Sequence, residues 1–489
     1  MFPFESIITI ERTHKNPVYL QIAFAISNAI RNGILKPGAA LPGSREMAQK
    51  LVVHRKTVLA AYEELIAQDY IKAIPRKGIY VSEQLPLLKP KKWNSERMLN
   101  AYGYRLEIPG EHMIQPAEQE DHTTILKLII DDGYPDVRLS PIDTLLKSYR
   151  FILTKKNNIE QSKEDNARGS TRLREQLALL LSETRGINIG KENILITHGA
   201  QMSIYIAAHL LINNNNNTQV IAGDPGYTTA TKVFTDMGAT VIRVPVDKYG
   251  LDVDAIAQIC AHQTIHFLYV IPHHHYPTTV TLSTERRMRL LELAKQYDFV
   301  IIEDDYDYDY HYDSAPYLPL ASANHEGRVI YIGSFSKILA PSIRIGFMIA
   351  PGNFIDHAAD FRKSIDVGGD MFMQDALASL IQEGELKRYL TKAKKAYHRR
   401  RDRLYDLLTK KAGPYVSLSL PGGGMAMWIQ LDKKIPVRQL HEILLRNGIK
   451  IKVLNEELNA FRFGFASLNR SEIEEAIDII EMAIHKIIS

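Results

Sequence analysis

The spacing of apolar residues over the first 82 positions predicts three helices followed by a short hairpin. In 17–33, apolar side chains recur at helical spacing between an initial proline and a final glycine, which commonly begin and end helices. The segments 44–51, with Ser44 as N-cap, and 56–70 predict two further helices. Two apolar runs flanking 75–78 predict paired strands. Helix, turn, helix and hairpin together predict a winged helix-turn-helix, and we call residues 1–82 the head.

From residue 123 to the end of the chain, which we call the body, short apolar runs alternate with helical patterns. The predicted strands are "NILIT", "TQVIAG", "TVIRVPV", "TIHFLYVI", "FVIIEDD" and "RVIYIG". Strands alternating with helices predict a mostly parallel α/β sheet, whose ligands bind at the carboxyl ends of the strands. Residues 385–489 contain a long basic helix, a glycine run and a final strand and helix, which predict a separate, smaller α+β lobe.

Residues 83–122 show no sustained period and include two prolines and three lysines within "PLLKPKKWNSERM". We therefore predict a linker there. The predicted organisation is a DNA-binding head (1–82), a linker (83–122), a large domain (123–384) and a small domain (385–489).

Charge is distributed unevenly along the chain. The head holds eleven Lys and Arg against six Asp and Glu, a net charge of +5, whereas the remaining 407 residues sum to −1 of the chain's total of +4. A basic module joined to a neutral body indicates a polyanionic partner.

Several features favour a cytoplasmic protein. Cys260 is the only cysteine, so no intrachain disulfide can form, which fits a reducing compartment. Glu5 and Glu11 interrupt the segment where a secretory signal needs an unbroken apolar core. No apolar run approaches the ~18–20 residues of a membrane span. We therefore expect no membrane partner, and association with the nucleoid when the protein is bound to DNA.

The cations of the head lie where a winged helix-turn-helix contacts DNA. The first turn of the recognition helix meets base edges, while neighbouring cations hold phosphates. The candidate DNA-binding residues are Arg45, His54, Arg55, Lys56, Thr57, Arg76, Lys77 and Gly78. The charge pattern alone also fits a small helical domain with solvated charges.

The string "LPGSREMAQKLVVHRKTVLAAYEELIAQDYI", followed by "RKGIYV", resembles the GntR family of winged-helix regulators over about the first 82 residues. The resemblance implies a double-stranded DNA operator as partner. A serine usually precedes the recognition arginine in that family, and His54 stands there in this chain. We expect a weaker N-cap at His54, since a histidine can still accept one backbone hydrogen bond.

The stretch "GSFSKILAPSIRIG" at 333–346 places Lys337 directly after a predicted strand. A lysine condenses with an aldehyde to form a Schiff base, and pyridoxal 5′-phosphate (PLP) is such an aldehyde. PLP also needs an anion cradle, a carboxylate at its ring nitrogen and a support for its ring. Candidates for the phosphate are Ser334, Ser336, Arg344 and the helix start Gly199, Ala200 and Gln201. Candidates for the ring are Asp304 at the nitrogen, Tyr306 at the phenolic oxygen and Tyr227 as stacking partner.

Each of these residues taken singly is more typical of a helix start, a solvated loop or ordinary packing. As an ordered set they resemble the fold type I aminotransferases, over roughly residues 123–489. Behind a GntR-like head, the whole chain resembles the MocR subfamily of regulators, which includes GabR-like and PdxR-like members. The segments "DGYPDVRLSP" at 132–141 and "FRFGFASL" at 461–468 also match that subfamily.

The resemblance implies that Lys337 binds PLP, that Asp304 pairs with the ring nitrogen and that Tyr306 lies near the ring oxygen. It further implies that Arg462 grips the carboxylate of an amino-acid effector. A head-to-tail homodimer, with its sites near the subunit interface, is also implied.

Two departures from the resemblance affect the site. The aminotransferase Asn-Pro-Thr-Gly turn is replaced by "YPTT" at 276–279, so the asparagine that bonds the phenolic oxygen is absent. GabR-like chains carry an arginine two residues after the stacking tyrosine, and here that position is Thr229. The triplet 273–275 is all histidine; adjacent residues of an extended segment point to opposite sides, so we expect His274 near the cofactor rather than a metal site.

Three functions fit these observations. The first is a transcription regulator in which PLP, alone or as an aldimine with an amino compound, modulates operator binding. The second is a working aminotransferase with an accessory DNA-binding head, and the third is a repressor whose cofactor-free body serves dimerisation. The operator, the effector, the sign of regulation and the regulated genes stay open.

Overall fold

A computed structural model describes residues 3–12, 16–75, 77–83, 126–154, 167–212, 217–312, 317–454 and 456–489. The chain divides into two compact units, 1–117 and 118–489. The head lies in the first unit and the body in the second. The finer boundaries at 82/83, 122/123 and 384/385 stay predictions, and 84–122 of the predicted linker lies outside the described residues.

The head is a winged helix-turn-helix, as predicted. Its helices are α1 (Phe4–Ile7), α2 (Val18–Arg31), α3 (Ser44–Leu51) and α4 (Arg55–Ala67). Its strands are β1 (Ala40–Leu41), β2 (Ile71–Ile74) and β3 (Gly78–Val81), which form an antiparallel sheet in the order β1-β3-β2. Ile22, Met47 and Val58 are fully buried between the helices and fix their packing.

The prediction that Ser44 caps α3 is wrong by one residue. Gly43 is the N-cap and supplies no side-chain hydrogen bond. The Ser44 hydroxyl instead accepts a hydrogen bond from Nε of Arg55 at 3.3 Å, which joins the starts of α3 and α4.

The body is built on an eight-stranded sheet in the order β5-β12-β11-β10-β9-β6-β7-β8. Its strands are β5 (Ile194–Thr197), β6 (Gln219–Asp224), β7 (Thr240–Asp247), β8 (Gly250–Leu251), β9 (Phe267–Val270), β10 (Val300–Asp304), β11 (Val329–Ser334) and β12 (Gly346–Ile349). The neighbours from β11 through β10, β9 and β6 to β7 run parallel, whereas β12 is antiparallel to β11 and β5. Every residue of β5, β9 and β11 is buried, because helices cover both faces, and this explains their continuous apolar runs.

Eleven described helices accompany the sheets of the body. They are α5 (Ile142–Leu153), α6 (Thr171–Arg185), α7 (Ala200–Leu211), α8 (Thr228–Asp236), α9 (Val253–His262), α10 (Thr284–Tyr297), α11 (Gly352–Lys363), α12 (Met371–Gln382), α13 (Glu385–Ala412), α14 (Val437–Arg446) and α15 (Arg470–Ile488). Short 3₁₀ turns cover Lys191–Asn193, Leu320–Ser322, Pro341–Ile343, Gly413–Tyr415 and Glu456–Leu458. Within the ranges given above, none of the helices is long and apolar enough to cross a membrane.

The C-terminal residues form two further small sheets. Strands β13 (Val416–Leu418), β14 (Ala426–Leu431) and β16 (Ala460–Gly464) form an antiparallel sheet in the order β13-β14-β16. Strand β15 (Ile449–Ile451) pairs in parallel with β4 (Leu128–Ile130), with Ile451 opposite Ile130. The start of the body thus joins its C-terminal part, a pairing that the sequence did not predict.

Candidate cofactor site and nucleic-acid face

The predicted cofactor residues converge because β5, β6, β10 and β11 end at the same edge of the sheet. A cavity of about 290 Å³ lies at this edge. Nine of the eleven residues predicted to bind the cofactor line it, namely Ala200, Gln201, Tyr227, Asp304, Tyr306, Ser334, Ser336, Lys337 and Arg344. Gly199 and His274 are the two that do not.

Lys337 follows β11 and projects into the cavity. Its Nζ donates a hydrogen bond to the carbonyl oxygen of Gly133 at 2.8 Å and lies 4.0 Å from the centre of the Tyr134 ring. Burial, together with the positive charge of Arg462, lowers the pKa of Lys337 to about 8. A lowered pKa leaves more of the amine neutral, which is the form that attacks an aldehyde.

Asp304 is the last residue of β10 and is buried. Its Oδ2 accepts a hydrogen bond from the Tyr269 hydroxyl at 2.6 Å, whereas its Oδ1 is buried without a hydrogen-bond partner in the described structure. Burial, with the nearby carboxylates of Asp305 and Asp307, raises the pKa of Asp304 to about 7. An unpartnered carboxylate oxygen at a cavity wall suits a protonated ring nitrogen.

The phosphate end of the predicted site lies at the start of α7. Gly199 precedes that helix with φ of 84°, and a Cβ at Gly199 would stand 2.9 Å from Nη2 of Arg344. Glycine therefore permits the guanidinium to lie against the helix start, where backbone N–H groups favour an anion. Arg344 also donates to the His198 carbonyl oxygen at 2.8 Å, and the buried Ser336 hydroxyl has no partner among described atoms.

Four tyrosines form the aromatic part of the cavity wall, namely Tyr134, Tyr227, Tyr276 and Tyr306. The rings of Tyr227 and Tyr276 meet edge to face, with centres 5.5 Å apart. The Tyr306 hydroxyl donates to the His274 carbonyl oxygen at 2.8 Å and accepts from Nη2 of Arg462 at 3.1 Å. Tyr306 is therefore fixed from two sides.

The three consecutive histidines have separate partners. His273 Nε2 lies 2.7 Å from the Tyr317 carbonyl oxygen, and His275 Nδ1 lies 3.0 Å from Oγ1 of Thr278. His274 is buried with Nδ1 2.9 Å from Oδ1 of Asp307, and its carbonyl oxygen accepts a hydrogen bond from the cavity residue Tyr306.

Arg462, predicted to grip an effector carboxylate, lies on β16 and is only 1% exposed. It donates from Nη1 to the Pro277 carbonyl oxygen at 3.4 Å as well as to Tyr306. Its guanidinium carbon lies 5.1 Å from the centre of the Tyr276 ring. Arg462 does not line the cavity.

In the head, several of the predicted DNA-binding residues are exposed. Arg45, Arg55, Lys56 and Lys77 are all exposed, and α4 begins at Arg55. His54 caps this helix as anticipated, because its Nδ1 accepts a hydrogen bond from the Lys56 backbone N–H at 3.2 Å.

The remaining predicted DNA-binding residues differ in exposure. Thr57 is half-buried in the first turn of α4. Gly78 is exposed at the start of β3 with φ of 120°, and Arg76 lies outside the described residues.

Comparison with known proteins assigns both parts of the chain. Residues 157–480 match the model of the aminotransferase class I and II family. Residues 18–81 match the model of the bacterial regulatory proteins of the gntR family.

The chain belongs to the aminotransferase class I and II family.

Relatives with the same two parts match almost the whole chain. The HTH-type transcriptional regulator YdeL of Bacillus subtilis is 26% identical over 482 residues, covering 97% of this chain and 98% of YdeL. The probable rhizopine catabolism regulatory protein MocR of Rhizobium meliloti is 24% identical over 491 residues, covering 98% and 96%. A GntR domain in front of this family's body is the MocR-like arrangement, which confirms the predicted subfamily, and a GntR domain implies DNA binding.

A solved structure confirms the fold of the body. Kynurenine aminotransferase of Pyrococcus horikoshii, in complex with PMP, shares 26% identity and a TM-score of 0.68, over 75% of this chain and 92% of that chain. PLP is the cofactor that this family indicates, and the cavity fits it. Lys337 would hold its aldehyde, Asp304 its ring nitrogen, and Ser336, Arg344 and the start of α7 its phosphate.

The turn at 276–279 lacks the asparagine and the glycine of the family's Asn-Pro-Thr-Gly sequence, but it has an unusual backbone conformation. Thr279 has φ of 62°, in the left-handed region that favours the family's glycine. Tyr276 stands in place of the asparagine, lines the cavity and donates to Oδ2 of Asp132 at 3.3 Å.

Several residues of the cavity wall were given no binding role by the sequence analysis, among them Asp132, Tyr134, Tyr276 and Lys452. The first two belong to "DGYPDVRLSP", a segment that was quoted for its resemblance without a role. Lys452 lies in no segment that the sequence analysis quoted. Strand β15 lies at the cavity because it pairs with β4, and the sequence does not show that pairing.

Proposed function

We propose that this chain is a PLP-dependent transcription regulator in which PLP, alone or joined to an amino compound, binds at Lys337 and alters operator binding by the head. It acts in the bacterial cytoplasm as a head-to-tail homodimer, at the nucleoid when DNA is bound. The supporting observation is the occurrence, in one chain, of a cavity lined by nine of the predicted cofactor residues and an exposed basic helix start.

PLP, once bound, supplies an aldehyde and an electron-withdrawing ring. The residues of this chain hold it in place. Lys337 presents a partly neutral amine, and Asp304 offers its unpartnered Oδ1 to a ring N–H. Arg344 would offset the charge of the phosphate at the start of α7, and the Ser336 hydroxyl would donate a hydrogen bond to it. Tyr306 is fixed by its two hydrogen bonds, and its hydroxyl would lie near the phenolic oxygen of the ring.

Regulation requires that the ligand of the body bind two arrangements of the protein with different affinities. A ligand of the body changes operator binding only if it binds one arrangement of the two heads more tightly, with a typical coupling of about 1–3 kcal/mol. That coupling corresponds to a change in operator affinity of about 5- to 150-fold.

The test is fluorescence anisotropy of the full chain on the DNA upstream of its own gene, with PLP or with pyridoxine 5′-phosphate as a control that lacks the aldehyde. We expect PLP to change the dissociation constant measured by anisotropy, or the DNA segment protected in a footprinting experiment. The control should leave both unchanged. Identical affinity and identical footprints with and without PLP contradict the proposal.

The fold of the body also favours a second candidate, slow transamination. Mixing PLP-loaded protein with amino donors and 2-oxo acids tests it. Multiple turnovers support an enzyme with an accessory head, whereas at most one equivalent of product supports the regulator.

A further inference from the structure

The ring of Tyr276 separates the cofactor cavity from the buried Arg462. Tyr276 lines the cavity, whereas Arg462 does not. The guanidinium carbon of Arg462 lies 5.1 Å from the centre of the Tyr276 ring, and Arg462 is only 1% exposed. A ligand in the cavity therefore meets the tyrosine ring and not the guanidinium.

Several contacts hold the Tyr276 side chain in this position. Its hydroxyl donates to Oδ2 of Asp132 at 3.3 Å and lies 3.5 Å from Nζ of Lys452. Burial, with the charge of Asp132, raises the pKa of Tyr276 to about 12, so the hydroxyl stays protonated and donates at neutral pH. The ring also meets that of Tyr227 edge to face. Displacing the Tyr276 ring would break all of these contacts.

Arg462 is engaged on its own side of the ring, but not fully. Its Nη1 donates to the Pro277 carbonyl oxygen and its Nη2 to the Tyr306 hydroxyl. Its Nε is buried without a hydrogen-bond partner among the described residues. A buried N–H without a partner is costly, and arginine is well suited to carboxylates. Arg462 thus keeps a capacity for a carboxylate that the tyrosine ring covers.

We propose that Tyr276 is a specificity-determining residue, whose ring keeps the carboxylate of an amino acid away from Arg462, so that the effector of the body is PLP itself. This inference rests on the proposed function and narrows its effector to PLP without an amino compound. The selectivity comes from a steric block to the competing ligand. Lys337, Asp304 and Arg344, which would hold PLP, make none of the hydrogen bonds that fix Tyr276.

The first test needs no cofactor. It measures how fast methylglyoxal, a small arginine reagent, modifies Arg462 in the full chain, by mass spectrometry of the peptide that contains it. Arg344, which is exposed and lines the same cavity, is the internal reference. The variants are Tyr276→Asn, which restores the smaller residue of the family's turn, and Tyr276→Phe, which keeps the ring and removes the hydroxyl.

We expect Arg462 to react at least about tenfold more slowly than Arg344 in the wild type and in Tyr276→Phe, because the ring covers it in both. In Tyr276→Asn the reaction of Arg462 should accelerate by about tenfold.

The second test titrates PLP-loaded full chain with the standard amino acids and 4-aminobutyrate, following the absorbance of the cofactor. The PLP affinity of each variant is measured first, so that lost cofactor is not mistaken for a lost response. Tyr276→Asn should lower the half-saturating concentration of at least one amino acid by about tenfold or more, as for a charge-assisted hydrogen bond gained. Adding Arg462→Gln, which removes the charge but keeps a donor, should abolish this gain.

Three results overturn the inference: reaction of Arg462 in the wild type as fast as that of Arg344, equal behaviour of the wild type and Tyr276→Asn in both tests, or a gain that survives Arg462→Gln. Each leaves the proposed function standing if PLP alters operator binding. Absence of PLP binding by the wild type would instead remove the proposed function, whereas the reactivity of Arg462 would still test the cover provided by Tyr276.

Discussion

The two units place their functional side chains in opposite environments. In the head, Arg55 and Lys56 are exposed at the start of a helix, above a small apolar core. In the body, Asp304 is buried and Lys337 lines a cavity at the edge of the sheet. Solvent-exposed charges contribute to binding mainly through their total number, and salt screens them. The effect of a buried charge depends instead on the particular groups that it contacts.

This contrast predicts how substitutions should behave. Substitutions of cations in the head should each lower operator affinity by a moderate, additive and salt-dependent amount, and should leave PLP binding unaltered. Substitutions in the body should cause large losses of PLP affinity that depend on which atom is removed, and should leave operator binding without PLP unaltered.

The largest effect is expected for Asp304→Asn. Removing the charge that faces the ring nitrogen should cost about 2–5 kcal/mol of PLP binding, on the order of thirtyfold or more. Equilibrium titration of PLP by absorbance measures it. Tyr269→Phe is the control, since it removes only the hydroxyl that donates to Asp304 and should cost about 1 kcal/mol. Equal losses in the two variants would contradict the assigned role of the charge.

In the head, we expect Arg55→Ala combined with Lys56→Ala to weaken operator binding in a salt-dependent way. The slope of log affinity against log salt should fall by about 2, because two phosphate or base contacts by cations are lost. Anisotropy at several salt concentrations measures the slope, with Lys36→Ala and Lys72→Ala as a pair of exposed control cations in the same unit. A control pair that lowers the slope equally would show that charge acts without regard to position.

The pKa of about 8 for Lys337 predicts a pH profile for PLP capture. The neutral amine reacts, and its fraction at pH 7 is roughly one in ten, against roughly one in three thousand for an ordinary lysine. The capture rate should therefore rise about tenfold per pH unit below pH 8 and level off above it. Stopped-flow absorbance measures this, and Nα-acetyl-lysine amide, whose rate keeps rising beyond pH 10, is the reference. A protein profile that follows the reference would disprove the effect of burial.

The smallest effect is expected for the cap of α4. His54→Ala removes the acceptor of the Lys56 backbone N–H, which should cost about 1 kcal/mol locally. Hydrogen exchange of peptides spanning 52–62 in the full chain should accelerate about fivefold, and His54→Ser should restore protection. Peptides from α7 provide the internal reference. Unchanged exchange at 52–62 would show that the hydrogen bond does not stabilise the helix.

The sequence predicted most of the fold for a physical reason. Strands buried on both faces, such as β5 and β11, leave continuous apolar runs, and the helices between them leave amphipathic ones. Ser44 was placed one position wrong because a helix boundary depends on local backbone angles that residue type fixes only loosely.

The site was predictable where residues follow strand ends in order, as Asp304, Lys337 and Arg344 do. It was not predictable where distant segments meet. Asp132 and Lys452 are adjacent only because β4 pairs with β15, more than 300 positions apart. Likewise, no pattern in the sequence shows that the Tyr276 ring lies against Arg462.

The most direct test of the central claim compares the operator-binding isotherm of the wild type with that of Lys337→Ala, each with and without PLP, using Lys433→Ala as control. The account predicts that PLP shifts the isotherm of the wild type and of the control, while that of Lys337→Ala stays at the position without PLP. A PLP-induced shift of equal size in Lys337→Ala would contradict it.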